Sequence, residues 1–330
     1  MRALIYAVSM PQNSLLLIGH RGAPGYLPEH TRSSYELAIS MGVDAVEPDV
    51  VATADGVLVV RHENEISETT DVADRPEFAD RRTTKTFLGH EMTGWFTEDF
   101  TWAELQTLRC RERLPEIRRE SAAHNDEERM LSLRELLELC AQHGVGMVLE
   151  VKNPTYFTSI GVDLAALVAA ELRAAGWADG EHPLWIECFE QSVLGALQGL
   201  GVQAQYIYLL AAGGAPLDLL ATLGAAAPPY ADVITPAGLD ALVGAVDGIS
   251  VDKQMLLVDG NTIVADAHAR GLAVFTWTCR PENVFLDEAY REGSDPAAFG
   301  NWHDEWARIA ATGIDGVFVD HADLGVQLFR

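Results

Sequence analysis

Short apolar runs in this chain end repeatedly in charged side chains. In "AVEPDVV", Glu47 and Asp49 stand two residues apart, so on a strand both leave the same face while Val46 and Val50 leave the other. Two carboxylates on one buried face repel unless they are protonated or bridged by a cation. An isolated pair of this kind is an ordinary solvated strand edge. Here "MVLEVK" adds Glu150 near the end of another apolar run, with Lys152 two residues on and therefore on the same face. Three carboxylates converging at one end of a sheet would make an oxygen-only cage for one hard divalent cation, Mg²⁺ or Ca²⁺, rather than for zinc.

Two histidines occupy equivalent places. His20 follows "LLLIG" and His62 follows "VLVVR", each where an apolar run gives way to a loop. A lone strand-end histidine is usually a surface or capping residue. Two of them beside a carboxylate cage suit proton transfer in phosphoryl or acyl chemistry, because imidazole titrates near neutrality. Arg21, next to His20, carries a planar fork that matches phosphate oxygens.

Positioning such groups requires a scaffold with many strand ends on one side. Eight β-like runs alternate with amphipathic helical patterns: 15–19, 43–51, 145–152, 184–189, 204–210, 246–251, 272–278 and 314–320. Near-continuous apolar strands covered by helices, such as the one expected over Leu133–His143, indicate an α/β fold with a parallel sheet. Eight is the count that closes a barrel, and barrels of this class carry their chemistry at the C-terminal strand ends. The segment from about 63 to 125 breaks the rhythm. It is polar, dotted with Phe87, Trp95, Phe96, Phe100 and Trp102, and too long to be a structureless loop, so it is expected to be a small inserted subdomain within a single domain of 1–330, partly covering the site.

The chain has 330 residues, 48% of them apolar, and 23 Lys+Arg against 49 Asp+Glu, a formal net charge of −26. That charge repels nucleic acid and argues against a stable association with anionic membranes. If the ligand is an anion, local basic groups or a bound cation must reverse the sign inside the site. Cys110, Cys140, Cys188 and Cys279 lack metal-site spacing and are expected to be reduced and buried. "MRALIYAVSM" is at best an incomplete export signal, and no window approaches the roughly 20 apolar residues that span a bilayer, so a cytoplasmic location is expected.

Taken together, "GHRGAPGYLPEHT", "GVDAVEPDVVATADGVLVVRHEN", "LEVKNPTYF" and "GIDGVFVDHAD" resemble the glycerophosphodiester phosphodiesterase family, in the branch where "ISETTDVA" and "TGWFTEDFTWAEL" also recur. The resemblance implies a (β/α)8 TIM barrel with an insertion after the second strand, one divalent cation, and hydrolysis of sn-glycero-3-phosphodiesters to glycerol 3-phosphate and an alcohol. It makes Glu47, Asp49 and Glu150 metal ligands, His20 and His62 the acid–base pair, Arg21 and Lys152 phosphate contacts, and Trp277 in "FTWT" a wall of the glycerol pocket. Three departures accompany it: His30 where relatives usually have Asn, Glu63 where they have Asp, and Glu187-Cys188 where they commonly have Gln-Ser. The expected partner is a small glycerophosphodiester, and the oligomeric state is not fixed by the sequence. Two competing readings share the architecture: a phospholipase D-like lyase stopping at a cyclic phosphate, and a barrel that binds without turnover.

Overall fold

The computed structural model describes residues 15–87 and 90–330. The apolar opening "MRALIYAVSM", read above as an incomplete export signal, lies outside the described residues. The strands, in chain order, are β1 (Leu16–His20), β2 (Ala45–Glu47), β3 (Asp49–Ala52), β4 (Leu58–Val60), β5 (Thr83–Phe87), β6 (His90–Gly94), β7 (Gly146–Val151), β8 (Leu184–Cys188), β9 (Gln205–Leu210), β10 (Gly248–Asp252), β11 (Ala273–Cys279) and β12 (Gly316–Val319). Pairings β1–β12, β12–β11, β11–β10, β10–β9, β9–β8, β8–β7, β7–β2 and β2–β1 are all parallel and close a ring.

β2 and β3 are one barrel strand interrupted at Pro48, which has no N–H to give to the ladder. Both halves keep one register on β7, with Val46 opposite Met147 and Asp49 opposite Glu150. The chain is therefore a closed eight-stranded parallel barrel with helices, as its eight apolar runs imply. β4 then turns back antiparallel onto β3.

The strands alternate strictly in what they bury. Leu16, Ile18, Ala45, Val148, Trp185, Ile207, Phe275 and Phe318 fill the barrel interior as one cluster, with Ala273 and Trp277 packed against it. Alternate residues such as Leu17, Val46, Leu149 and Val317 face the other way into the larger core beneath the helices. Gly316 is part of this fit, because a Cβ there would come within 2.7 Å of the Phe275 ring. The helix Leu133–His143 begins with a capping box between Ser132 and Glu135 and ends on Gly144 in the left-handed region, burying Leu133, Leu136, Leu137 and Cys140. All four cysteines are free and buried.

Between β4 and that helix, the chain forms the β5–β6 hairpin, short 3-10 turns and the helices Trp102–Leu105 and Arg119–Ala122. Its Ile66, Val72, Phe78, Trp95, Phe100, Leu105 and Leu108 join the same core cluster that lies outside the barrel. Among the described residues, no helix is long and apolar enough to cross a membrane.

Candidate active site

On most strands the inward face, continued two residues toward its C-terminal end, leaves the apolar interior for ionisable or aromatic side chains. Ile18 is followed by His20, Ala45 by Glu47, Val148 by Glu150 and Lys152, Trp185 by Glu187, Phe275 by Trp277, and Phe318 by Asp320. This top layer borders a cavity of about 300 Å³ lined by His20, Arg21, Glu47, His62, Glu150, Lys152, Glu187 and Trp277. Phe189 and Trp277 meet edge to face there, with ring centroids 5.6 Å apart.

His20 and His62 are held alike. His20 Nδ1 lies 2.6 Å from Asp320 Oδ1, and His62 Nδ1 is hydrogen-bonded to Glu63 Oε1. Each carboxylate fixes the Nδ1 side of its ring, which leaves Nε2 for the cavity. Burial, then the neighbouring charge of Arg21, lowers His20 from 6.5 to about 4 against the pull of Asp320. Burial, Arg21 and Lys152 lower His62 to about 3. Both rings are therefore neutral near pH 7 in the ligand-free protein. Burial opposes ionisation of Asp320, but Arg280, Arg118 and His20 hold it well below the usual carboxylate range.

Arg21 adopts a positive φ of 55°, and its backbone N–H donates to the carbonyl of Glu47 at 2.9 Å and to Glu47 Oε2 at 3.0 Å. Gly22 follows at φ 98°, where a Cβ would fall 2.5 Å from Ser34 Oγ, so the turn that presents His20 and Arg21 leaves no room for a side chain. Arg21 and Lys152, with Arg280 and Arg291, give the cavity cations in a chain of net charge −26.

Of the three carboxylates expected as ligands, Glu47 and Glu150 group with Glu187, whose place beside Cys188 suggests a further carboxylate near the cation. Glu47, Glu150 and Glu187 each place an oxygen within 4.8 Å of the others, and all three are buried. Asp49 stands beside them but spends Oδ2 on His30 Nε2 at 3.0 Å and on Arg21 Nε at 3.3 Å. Its Oδ1 lies 3.4 Å from Lys152 Nζ and, like Glu187 Oε2, has no hydrogen-bond partner among the described residues. Burial, then the charge of Asp49, pushes Glu47 well up, and burial with Glu150 and Asp49 does the same to Glu187. Burial outweighs Lys152 and takes Glu150 up to about 8. Buried oxygens crowded together, two of them without donors, fit a hard divalent cation, which would supply the missing charge.

Two groups escaped the sequence reading. Asp320 lies in the quoted "GIDGVFVDHAD" and shares the inward parity of Phe318, a signal that was available. The wall formed by Arg280, Val284, Phe285, Leu286 and Arg291 comes from the connection after β11, where long strand-to-helix loops shape such sites. Among the described residues, the segment 63–125 contributes no lining residue to this cavity.

Known proteins are similar across almost the whole chain. A glycerophosphodiester phosphodiesterase of Arabidopsis thaliana is 30% identical over 324 residues, covering 92% of this chain and 82% of its own length. One from Haemophilus influenzae is 25% identical, covering 96% and 90%. The crystal structure of an Oleispira antarctica phosphodiesterase in complex with the product sn-glycerol-3-phosphate superposes with a TM-score of 0.64 at 21% identity, covering 94% of this chain and 95% of that one. The profile of the "Glycerophosphoryl diester phosphodiesterase family" matches residues 20–324, from the first histidine of the site to just past Asp320, and the chain belongs to that family.

Proposed function

We propose that the protein hydrolyses glycerophosphodiesters to sn-glycerol 3-phosphate and an alcohol, using His20 and His62 as the acid–base pair and one divalent cation, Mg²⁺ or Ca²⁺. The observation that carries this reading is the pair of carboxylate-anchored imidazoles on one cavity with Arg21, Lys152 and three crowded carboxylates. The product complex of the Oleispira antarctica relative supports the substrate class. Glu47 and Glu150, with Glu187 beside them and Asp49 offering Oδ1, would hold the cation. Bound there, it would supply positive charge to the phosphoryl oxygens.

The rest is work for this chain's own side chains. Arg21 and Lys152 neutralise the phosphodiester, and Trp277 and Phe189 wall the glycerol. One neutral imidazole takes the proton of the attacking oxygen, either from water or from the neighbouring glycerol hydroxyl, the latter giving a transient cyclic phosphate that water then opens to glycerol 3-phosphate. The other, protonated as the anionic substrate offsets the cations that lower it, gives its proton to the departing alkoxide. The ligand is a small molecule in solution.

Release of glycerol 3-phosphate from glycerophosphocholine, followed in a coupled dehydrogenase assay, tests this directly. We expect no release in excess chelator and recovery with Mg²⁺ or Ca²⁺. Full activity in chelator overturns the cation, accumulation of a cyclic phosphate favours the lyase, and binding without any product favours the inert barrel.

A further inference from the structure

Neither carboxylate that anchors a histidine stands alone. Arg113 grips Glu63 with both arms, Nη1 to Oε1 at 2.9 Å and Nη2 to Oε2 at 2.6 Å. The same guanidinium binds Glu29 through Nε at 3.0 Å and Nη2 at 2.6 Å, and Glu29 in turn accepts from Arg21 Nη1 at 3.1 Å. Five residues on, Arg118 donates from Nη2 to Asp320 Oδ2 at 2.6 Å and from Nε to Glu282 Oε1 at 2.7 Å. Arg118 is 5% exposed, and Arg113 is partly covered.

The backbone between the two arginines is itself braced. Ile117 and Arg118 both donate to the carbonyl of Leu114, at 2.9 and 2.8 Å. The buried Glu112 accepts from the N–H of Leu114 at 2.8 Å and from the hydroxyl of Ser121, and Asn125 receives the N–H of Glu112 at 2.7 Å. One short turn of the inserted segment thus holds both histidine anchors, Glu63 through Arg113 and Asp320 through Arg118.

We propose that Arg113 and Arg118 are positioning residues that set His62 and His20 through Glu63 and Asp320, so that the inserted segment is part of the proton-transfer machinery without lining the cavity. This rests on the acid–base reading of the two histidines. A carboxylate held by a fixed guanidinium has one orientation left for the imidazole, and proton transfer falls off quickly as that orientation is lost.

The test uses the full chain with Arg113→Gln, Arg118→Gln and the corresponding Lys variants, beside His20→Ala and His62→Ala. Turnover is read on glycerophosphocholine and on glycerol 3-(p-nitrophenyl) phosphate, whose leaving group needs little protonation. Each Gln variant should lower kcat by about 10–100-fold with KM within about 2-fold, and each Lys variant should recover part of the loss. The decisive reading is inheritance. Arg118→Gln should show the leaving-group response of His20→Ala, and Arg113→Gln that of His62→Ala, so that one arginine variant is rescued by p-nitrophenolate and the other is not. A merely structural role predicts equal losses on both substrates in both variants, and that result overturns the proposal. If a Gln variant does not fold, its Lys variant decides: wild-type turnover on both substrates with a lowered melting temperature likewise overturns it. Normal turnover in His20→Ala and His62→Ala would instead bring down the acid–base reading itself, whatever the arginine variants do.

Discussion

The two histidine anchors follow one plan in different surroundings. His20 and Asp320 come from strands that meet where the barrel closes, and their side chains are 10% and 1% exposed. His62 and Glu63 are adjacent in sequence on a loop beyond β4, and theirs are 28% and 34% exposed. Among the described residues, Asp320 is shared by two guanidiniums, Arg118 and Arg280, whereas Glu63 pairs with one, Arg113. A buried anchor has no water to replace a lost partner, and one about a third exposed has more access to it. The same local chemistry should therefore be rigid on the His20 side and tolerant on the His62 side.

Removing the rings themselves is the largest perturbation. His20→Ala and His62→Ala should each cut turnover by about 10²–10⁴-fold. The double variant should be scarcely worse than either single one if, as proposed, the pair serves one proton-transfer cycle. Multiplicative losses measured on glycerophosphocholine would separate the two rings into independent roles.

A smaller change sharpens the contrast. Asp320→Asn preserves shape but removes the charge that His20 Nδ1 and two guanidiniums share, and should cost about 10²-fold or more in kcat. Glu63→Gln exchanges one partner of a water-accessible ring, and the loss should stay near 10-fold. Equal losses in a side-by-side kcat comparison would mean that exposure does not govern how firmly these rings are held.

The contrast also explains what could be read in the sequence. The barrel was legible because its strands are apolar on both faces and repeat eight times, and the helix over Leu133–His143 carried its own capping residues. The candidate site was legible wherever an ionisable residue continued the inward parity of a strand, as at His20, Glu47 and Glu150. Glu187 obeys the same parity, and its register opposite Glu150 brings it into the carboxylate group. What sequence spacing could not supply was distance along the chain. Asp320 lies 300 residues from His20, and Arg118 lies 164 from Glu282. Asp49 shares the parity of Glu47, yet its partners His30 and Arg21 are set by turns with positive φ, which no periodicity encodes.

The smallest effect concerns stability and tests the carboxylate group apart from the histidines. His20 and His62 have folded-state values near 4 and 3, below 6.5 when unfolded, so the unfolded chain binds more protons between those limits and stability falls as pH drops through that range. Above about pH 6.5 both rings are neutral in either state and contribute no slope. Glu150 has the opposite sign. Its folded value near 8 exceeds the usual 4.5, so the fold retains a proton the unfolded chain has lost, and stability falls as pH rises from 6.5 to 8. In cation-free protein the melting temperature should therefore decline by about 2–4 °C over that interval, a change on the order of 1 kcal/mol. A bound cation displaces the proton, so saturating Mg²⁺ or Ca²⁺ should flatten the decline and stabilise more at pH 8 than at pH 6.5. Glu150→Gln should make it shallower without any cation, because the glutamine has no proton to lose, and leaves only the share of Glu47 and Glu187, which are raised in the same direction. A decline in Glu150→Gln as steep as in the native chain would place its origin elsewhere and remove the crowding argument for the cation site.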